Sequence, residues 1–329
     1  MYPQYTYRRA RQKRRSIKKN TLRNVVLVLV PVVILFGAGL IYLSHRAEAR
    51  TPKTNKATTH QTAATTAPST PAPSAPAVAA VITKLENDWA STMSGRSDVV
   101  DIAVYDSKNG QTAHYTNTSA GTVFYTASTV KLSILEDLLI QDQANNTGLT
   151  SGQMSYAAPM IEDSDDNSAT VLWQEDGGTS ALDSFFSKVG ALSTQAGDQD
   201  YWGLTTTTAE DQLKVVNQFA YPSSLLTSSS QDQIVDLLNQ VTPSQHWGVS
   251  GGVPSNVSVD LKNGWLPDSE TFQDPYMNTD DWIINSIGHI YGDGQDYTIA
   301  VYTDGNSSEE YGIDTIQALS TVTWNDLSA

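Results

Sequence analysis

Ser128 and Lys131 stand three positions apart in Ser128-Thr129-Val130-Lys131, at the head of a helical pattern that runs to Gln143. Residues i and i+3 share a helix face, so the amine can reach the hydroxyl. A serine hydroxyl is a weak nucleophile until a base takes its proton, and a lysine kept neutral by desolvation can do so. A helix N-terminus adds positive potential, which favours neutral lysine and nearby anionic charge. The same spacing also fits a capping serine beside a surface lysine, so the pair alone is weak. A second group, Ser164-Asp165-Asp166-Asn167, precedes the apolar residues Ala169, Val171, Leu172 and Trp173. Capping accounts for many such clusters, but a hydroxyl at Ser164 could also pass a proton between Lys131 and a leaving group. The third group is Lys262-Asn263-Gly264, at the end of an apolar strand pattern. There glycine lets a ligand approach the strand edge, and lysine supplies charge for a carboxylate. A strand-terminal lysine before a turn is the plain alternative. Composition weighs against it, because only seven Lys/Arg lie beyond position 56 and two of them are Lys131 and Lys262.

The elements that must hold these groups can be read from periodicity. Val81, Ile82, Leu85 and Trp89 predict a helix over Val78–Ala90. Val99–Asp106 and Gln111–Thr118 read as strands joined through Asn109-Gly110, a strong hairpin signal. Helical patterns follow at 128–143, 166–175, 179–189, 207–220 and 229–241, then strand patterns at 256–263, 282–291 and 296–304. Tyr311–Trp324 closes the chain as a helix. The order predicts an α+β layout in which one antiparallel sheet takes strands from both ends and the helical middle forms a second lobe. A cleft between sheet and lobe is the natural place for a ligand.

Charge divides the chain sharply. Residues 1–56 carry 13 Lys/Arg against one acid, Glu48, whereas residues 57–329 carry 7 against 34, within an overall charge of -15. The acidic part would repel nucleic acid, whose binding rests on neutralised phosphates, so no nucleic-acid partner is expected. The absence of cysteine excludes disulfides, thiolate metal sites and cysteine nucleophiles. Residues 1–24 read as a basic cytoplasmic tail and 25–44 as a membrane anchor. The uncharged run Val25–Leu43 would span roughly 29 Å as a helix, about one hydrocarbon thickness. The basic flank keeps the N-terminus inside and sends the remainder out, which predicts a single-pass protein of the cell membrane with an extracellular C-terminal domain. Ala47-Glu48-Ala49 resembles a signal-peptide cleavage site, but the apolar run is longer than a signal peptide's. Residues 45–78, rich in Thr, Ala and Pro, read as a disordered tether, and the folded domain as 79–329.

Taken together, the order S-x-x-K, S-D-x, K-x-G resembles the signature of class A β-lactamases and penicillin-binding proteins. Phe124-Tyr125-Thr126-Ala127 leading into Ser128, the threonine-rich stretch Trp202–Ala209, and Val259–Trp265 resemble the surroundings of those motifs, so that the likeness covers about 80–326. The resemblance implies a β-lactamase/transpeptidase-like fold, with a five-stranded antiparallel sheet flanked by terminal helices and an all-helical lobe. It implies that Ser128 is acylated by a β-lactam or a D-Ala-D-Ala-type peptidoglycan stem peptide. Lys131 would be or assist the base, Ser164 would relay the proton, and Lys262 would hold the substrate carboxylate. Asp166, Asn263 and Gly264 complete the implied substrate-binding set, and no cofactor or metal is implied. The oxyanion would sit between the Ser128 N–H and an N–H on the strand at 263–266.

Three departures bear on the activity. Asp166 stands where the family has asparagine, although Asn167 lies one place on; an ionised aspartate cannot donate but can pair with Lys131. Asn263 replaces a threonine or serine, with an amide still able to donate to a carboxylate. The stretch Ala191–Gly203 lacks the E-x-x-L-N pattern whose glutamate activates the deacylating water, leaving Asp198, Asp200 and Glu175 as substitutes. Acylation is therefore better supported than release, and a catalytically impaired penicillin-binding or wall-sensing module is the alternative. His114, His246 and His289 lack metal-ligand spacing and read as packing or surface residues. Trp265, beside the third group, fits either core packing or a place lining the cleft, and the acid runs Asp163–Asp166 and Asp274–Asp281 read as solvated faces.

Overall fold

Where apolar residues alternate, the chain forms strands. Val99–Asp106 is β1 and Gln111–Thr116 is β2, paired antiparallel with Asp106 opposite Gln111. Gly110 turns the hairpin at φ +68°, a conformation open to glycine, and its N–H donates to the Asp106 carbonyl at 2.8 Å. Two short strands, β3 (Phe124–Tyr125) and β4 (Thr206–Thr207), pair with each other. The late strands β5 (Ser258–Pro267), β6 (Trp282–Gly292) and β7 (Gln295–Asn306) complete a five-stranded antiparallel sheet in the order β2-β1-β7-β6-β5. Strands from both ends thus meet in one sheet, as expected, and β5 forms one edge.

The computed structural model describes residues 75–144, 148–198, 201–267 and 281–329. The tail 1–24, the span 25–44, the tether as far as residue 74, Asp200, and the acid run apart from Asp281 lie outside the described residues. Among the described residues, no helix is long and apolar enough to cross a membrane.

Eight α-helices are described: α1 (Ala75–Met93), α2 (Val130–Gln143), α3 (Ser151–Glu162), α4 (Asp166–Asp176), α5 (Thr179–Val189), α6 (Ala209–Ala220), α7 (Ser228–Leu238) and α8 (Glu309–Leu327). The terminal helices α1 and α8 pack together, tied by the Trp89 indole N–H on Thr323 Oγ1 at 3.0 Å, and α8 lies on β6 and β7. Successive strand residues point to opposite faces. Gly312 of α8 sits so close to Ile284 that an added Cβ would lie 2.4 Å from its side chain, whereas Asn285 points to the other face and the start of the helical lobe. In that lobe α2 is buried from Val130 through Leu139, so it serves as the central helix.

Two differences from the sequence reading have local causes. The first helix begins at Ala75 rather than at Val78. Helix α3 was not expected, because Pro159 inside it interrupts the pattern and removes one backbone donor. A capping box starts it regardless: Gln153 N–H donates to Thr150 Oγ1, and Thr150 N–H donates to Gln153 Oε1.

The lobe also buries a carboxyl pair. Asp137 of α2 and Asp176 at the end of α4 are buried, and the Gln141 amide donates to both, at 3.3 and 2.8 Å. Burial, and then the neighbouring Asp137, push Asp176 up to about 8. A folded-state pKa above the unfolded value means that the stability is present at low pH and is lost as pH rises towards 8. The melting temperature of the protein is therefore expected to fall between about pH 5 and pH 8. Asp176→Asn, which cannot ionise, should flatten that slope in a series of thermal melts. An identical slope in the variant would contradict the assignment.

Candidate active site

Ser128 lies in a 3-10 turn, Ala127–Thr129, that runs directly into α2. Ala127, just before it, has φ +46°, a left-handed conformation that costs a non-glycine residue roughly 1–3 kcal/mol. Such a turn persists only where its surroundings hold it. The Asn285 amide, buried on β6, donates to the carbonyls of Tyr125 and Thr126 at 2.8 and 3.1 Å. The Thr126 N–H donates to the Thr205 carbonyl at 2.8 Å, and Thr129 Oγ1 bonds the buried Tyr302 hydroxyl of β7, also at 2.8 Å. The edge strand closes the last side. A Cβ added to Gly264 would lie 2.7 Å from Thr126 O and 2.8 Å from Ser128 N, so only glycine permits β5 to run this close. As an edge strand, β5 turns every second N–H away from β6, which leaves donors on the side next to Ser128.

Lys131 is fully buried one helical turn further on. Its amine donates to the Ser164 carbonyl at 2.6 Å, to Ser164 Oγ at 3.1 Å and to Asp166 Oδ1 at 2.6 Å. Three partners match the three protons of an ammonium, and the Ser128 hydroxyl is not among them. Burial pulls Lys131 below the usual lysine range, while Asp166, and after it Asp165, pull it back up. Lys262 arrives from β5, almost wholly buried, and donates to the same Ser164 Oγ at 3.0 Å and to its neighbour's carbonyl at 3.2 Å. Burial and then the Lys131 charge hold it well below the usual range, with Asp166 opposing.

The loop that presents Ser164 is itself strained, with Ser164 at φ +59°. The Pro159 carbonyl at the end of α3 accepts from both Asp163 N–H and Asp165 N–H, which curls the chain back. Asp165 then caps α4 through Ser168 N–H at 2.7 Å. This fixes the register left open in the sequence: Asp166 meets Lys131, and Asn167 is exposed.

Lys131, Ser164, Asp166 and Lys262 are thus joined, with Gly264 against the Ser128 turn. Asn263 is not joined to them. Strand alternation places it on the opposite face from Lys262 and Gly264, where its amide donates to the carbonyls of Gln245 and Trp247 at 2.7 and 3.3 Å. Its Oδ1 accepts from Ser286 at 2.6 Å. An amide expected to meet a substrate carboxylate instead fastens a loop to the sheet. Trp265 is half-buried, edge-on to Trp247 with ring centroids 5.9 Å apart.

No hydrogen bond or ion pair joins Glu175 or Asp198, two of the substitutes considered for a deacylating carboxylate, to this cluster among the described residues. Glu175 and Asp198 are exposed, and Asp200 lies outside the described residues. The stretch after α5 instead presents Trp202, whose ring centroid lies 4.9 Å from Lys131 Nζ and whose indole N–H donates to Thr170 Oγ1 at 3.1 Å. Asn285 and Tyr302 were not singled out in the sequence, and Trp202 was named only as the start of the threonine-rich stretch. A polar Asn within the apolar run of β6 was the one available hint, since a buried amide must find partners.

A model of the family described as "Beta-lactamase enzyme family" matches residues 154–327, which include Ser164, Asp166 and Lys262 and follow Ser128 and Lys131. Proteins named "Putative lipoprotein LppW" from Mycobacterium tuberculosis and Mycobacterium bovis are 27% identical over 173 residues, covering 51% of this chain and 54% of theirs. The chain thus spans about half the length of the curated relatives it matches. Among solved structures, the TLA-3 extended-spectrum β-lactamase is similar with a TM-score of 0.64 at 18% identity, covering 75% of this chain and 100% of that one. A class A β-lactamase from Mycobacterium abscessus gives 0.60 at 19% identity, covering 74% and 100%. PBP-A gives 0.62 at 16%, covering 74% and 95%. At these identities the structural likeness shows the fold.

The clamp on the serine turn can be tested by itself. Asn285→Ala would leave the carbonyls of Tyr125 and Thr126 without this donor, and Thr303 N–H without its acceptor at 3.2 Å. Urea unfolding should show a loss of roughly 1–3 kcal/mol, the range for orphaned buried polar groups. A variant as stable as the parent would remove Asn285 from this role.

Proposed function

The chain belongs to the β-lactamase enzyme family, and from that membership we propose that residues 79–329 form a serine acyl-enzyme domain, held outside the cell membrane by residues 25–44. The substrates are β-lactams or the D-Ala-D-Ala-type peptidoglycan stem peptides that they mimic. The lipoprotein name of the mycobacterial relatives and the basic flank of the apolar span support membrane attachment. One observation carries the chemistry: the Ser164 hydroxyl is shared by Lys131 and Lys262, on the element facing the Ser128 turn.

In this reading, Lys131 in its neutral form takes the Ser128 proton as Oγ attacks the carbonyl carbon. The Ser128 N–H and an outward N–H of β5 receive the oxyanion. When the C–N bond breaks, Ser164 gives its proton to the departing nitrogen and is reprotonated from Lys131, which balances the transfer. Two lysine amines already donate to Ser164 Oγ, so the hydroxyl proton is directed away from both. Lys262 attracts the carboxylate on the leaving side. Release of the acyl group is slow in this reading, because the carboxylate beside Lys131, that of Asp166, is held by the amine in an ion pair, and the same amine lies against the Trp202 ring. The protein therefore acts as a penicillin-binding enzyme more than as an antibiotic-destroying one.

Incubating the full-length protein in detergent with a fluorescent penicillin should give a lasting adduct with the mass of the intact antibiotic. Ser128→Ala should give none, and nitrocefin should be hydrolysed far more slowly than the adduct forms. No adduct at high reagent concentration and long times would defeat the proposal, and rapid nitrocefin hydrolysis would defeat the slow-release part.

The ion pair sets a pH dependence. Asp166 stabilises charged Lys131, so removing its charge lowers the pH at which the amine becomes neutral. In Asp166→Asn, the acid limb of the acylation rate against pH should move to lower pH. A limb that stays in place or moves upward would show that Lys131 is not the group being titrated.

A further inference from the structure

The site links its charges in a chain of hydrogen bonds. Lys262 Nζ lies 3.0 Å from Ser164 Oγ, the same hydroxyl lies 3.1 Å from Lys131 Nζ, and Lys131 lies 2.6 Å from Asp166 Oδ1. Both lysine side chains are buried, whereas that of Asp166 is 62% exposed. One carboxylate oxygen of Asp166 faces Lys131, and the other has no protein partner among the described residues. The hydrogen-bond chain through Ser164 thus begins at a buried cation and terminates at a carboxylate open to solvent, and a ligand bound across Ser164 can meet both. An ionised carboxylate only accepts hydrogen bonds, so an amide carbonyl or a carboxylate arriving there finds no donor, while an N–H or ammonium finds an acceptor.

We propose that Asp166 determines specificity by selecting acyl donors that carry an ammonium or N–H-donating group on the acyl side, opposite the carboxylate taken by Lys262. This rests on the acyl-enzyme reading above. The substrate class is then an amine-bearing peptide or its β-lactam mimic, dipolar in the same sense as the site. The acidity of the domain as a whole also disfavours anions, but it acts on every substrate and is barely changed by loss of one charge in a region that carries 34 acids.

Three penicillins that differ at one carbon of the side chain provide the probes: ampicillin with an ammonium, benzylpenicillin without a charge, and carbenicillin with a carboxylate. Acylation rate constants for the full-length protein would be measured by competition with a fluorescent penicillin, at about pH 6.5, where an α-amine is protonated. The expected order is ammonium, neutral, carboxylate, with ampicillin faster than carbenicillin by about tenfold, the size of a partly screened charge interaction at this range. Asp166→Asn should bring that ratio near one. Comparing substrates on the same protein cancels the change in Lys131 ionisation that the substitution also causes. Glu310→Gln, which neutralises an exposed acid on α8, should leave the ratio unchanged. A parent ratio within about twofold of one, or a ratio that Asp166→Asn leaves intact, overturns the proposal. Failure of all three penicillins to acylate Ser128 overturns the acyl-enzyme reading with it.

Discussion

Two buried amines share one hydroxyl, and the rest of the molecule is arranged around keeping them there. Lys131 and Lys262 come from a helix and a strand that are distant in sequence, and each is removed from water in a domain with only five other basic residues. Desolvation and mutual repulsion both act against charge on the pair. Opposing them are Asp166, the Ser164 carbonyl and the Ser164 hydroxyl. A buried charge that lost such partners would be strongly destabilising, so the loop carrying Ser164 must be as rigid as the helix it faces. Its strained φ, the Pro159 carbonyl that curls it and the Asp165 cap are the local means.

The same requirement explains why the sheet edge lies against the serine turn. Lys262 can reach Ser164 only if β5 runs alongside that turn, and β5 can do so only without a side chain at position 264. The turn in turn takes its shape from β6 and β7 through Asn285 and Tyr302. Sheet and lobe are therefore joined by hydrogen bonds to two carbonyls and one hydroxyl around Ser128, beyond the apolar packing that surrounds them.

Much of this was legible in the sequence because it is carried by local pattern. Alternation gave the strands of the sheet, Asn109-Gly110 gave the first hairpin, and three short groups gave Ser128, Lys131, Ser164, Lys262 and Gly264. What escaped depends on register or on partners far along the chain. Asn263 was assigned to the ligand through the resemblance of Lys262-Asn263-Gly264 to the K-x-G motif, yet strand alternation turns it to the other face. Asn285 and Tyr302 act across more than 150 positions, and nothing near them in sequence names the turn that they hold. Helix α3 escaped for the opposite reason, since a local signal, Pro159, spoke against a helix that packing against α4 and α7 supports.

Trp202 has a consequence for how such a site could evolve. In the proposed chemistry, acquiring turnover means placing a carboxylate and a water beside the acylated serine. Here that neighbourhood is occupied by an indole, itself fastened to Thr170 and packed over an amine. A new acid on an adjacent position would face an apolar ring and be poorly hydrated, so its gain would be cancelled until the indole moved aside. Removing the indole first opens a cavity beside a buried amine before any benefit arrives. Each single step is unfavourable and only the pair is useful, so under the proposed chemistry a domain built this way would not readily acquire turnover.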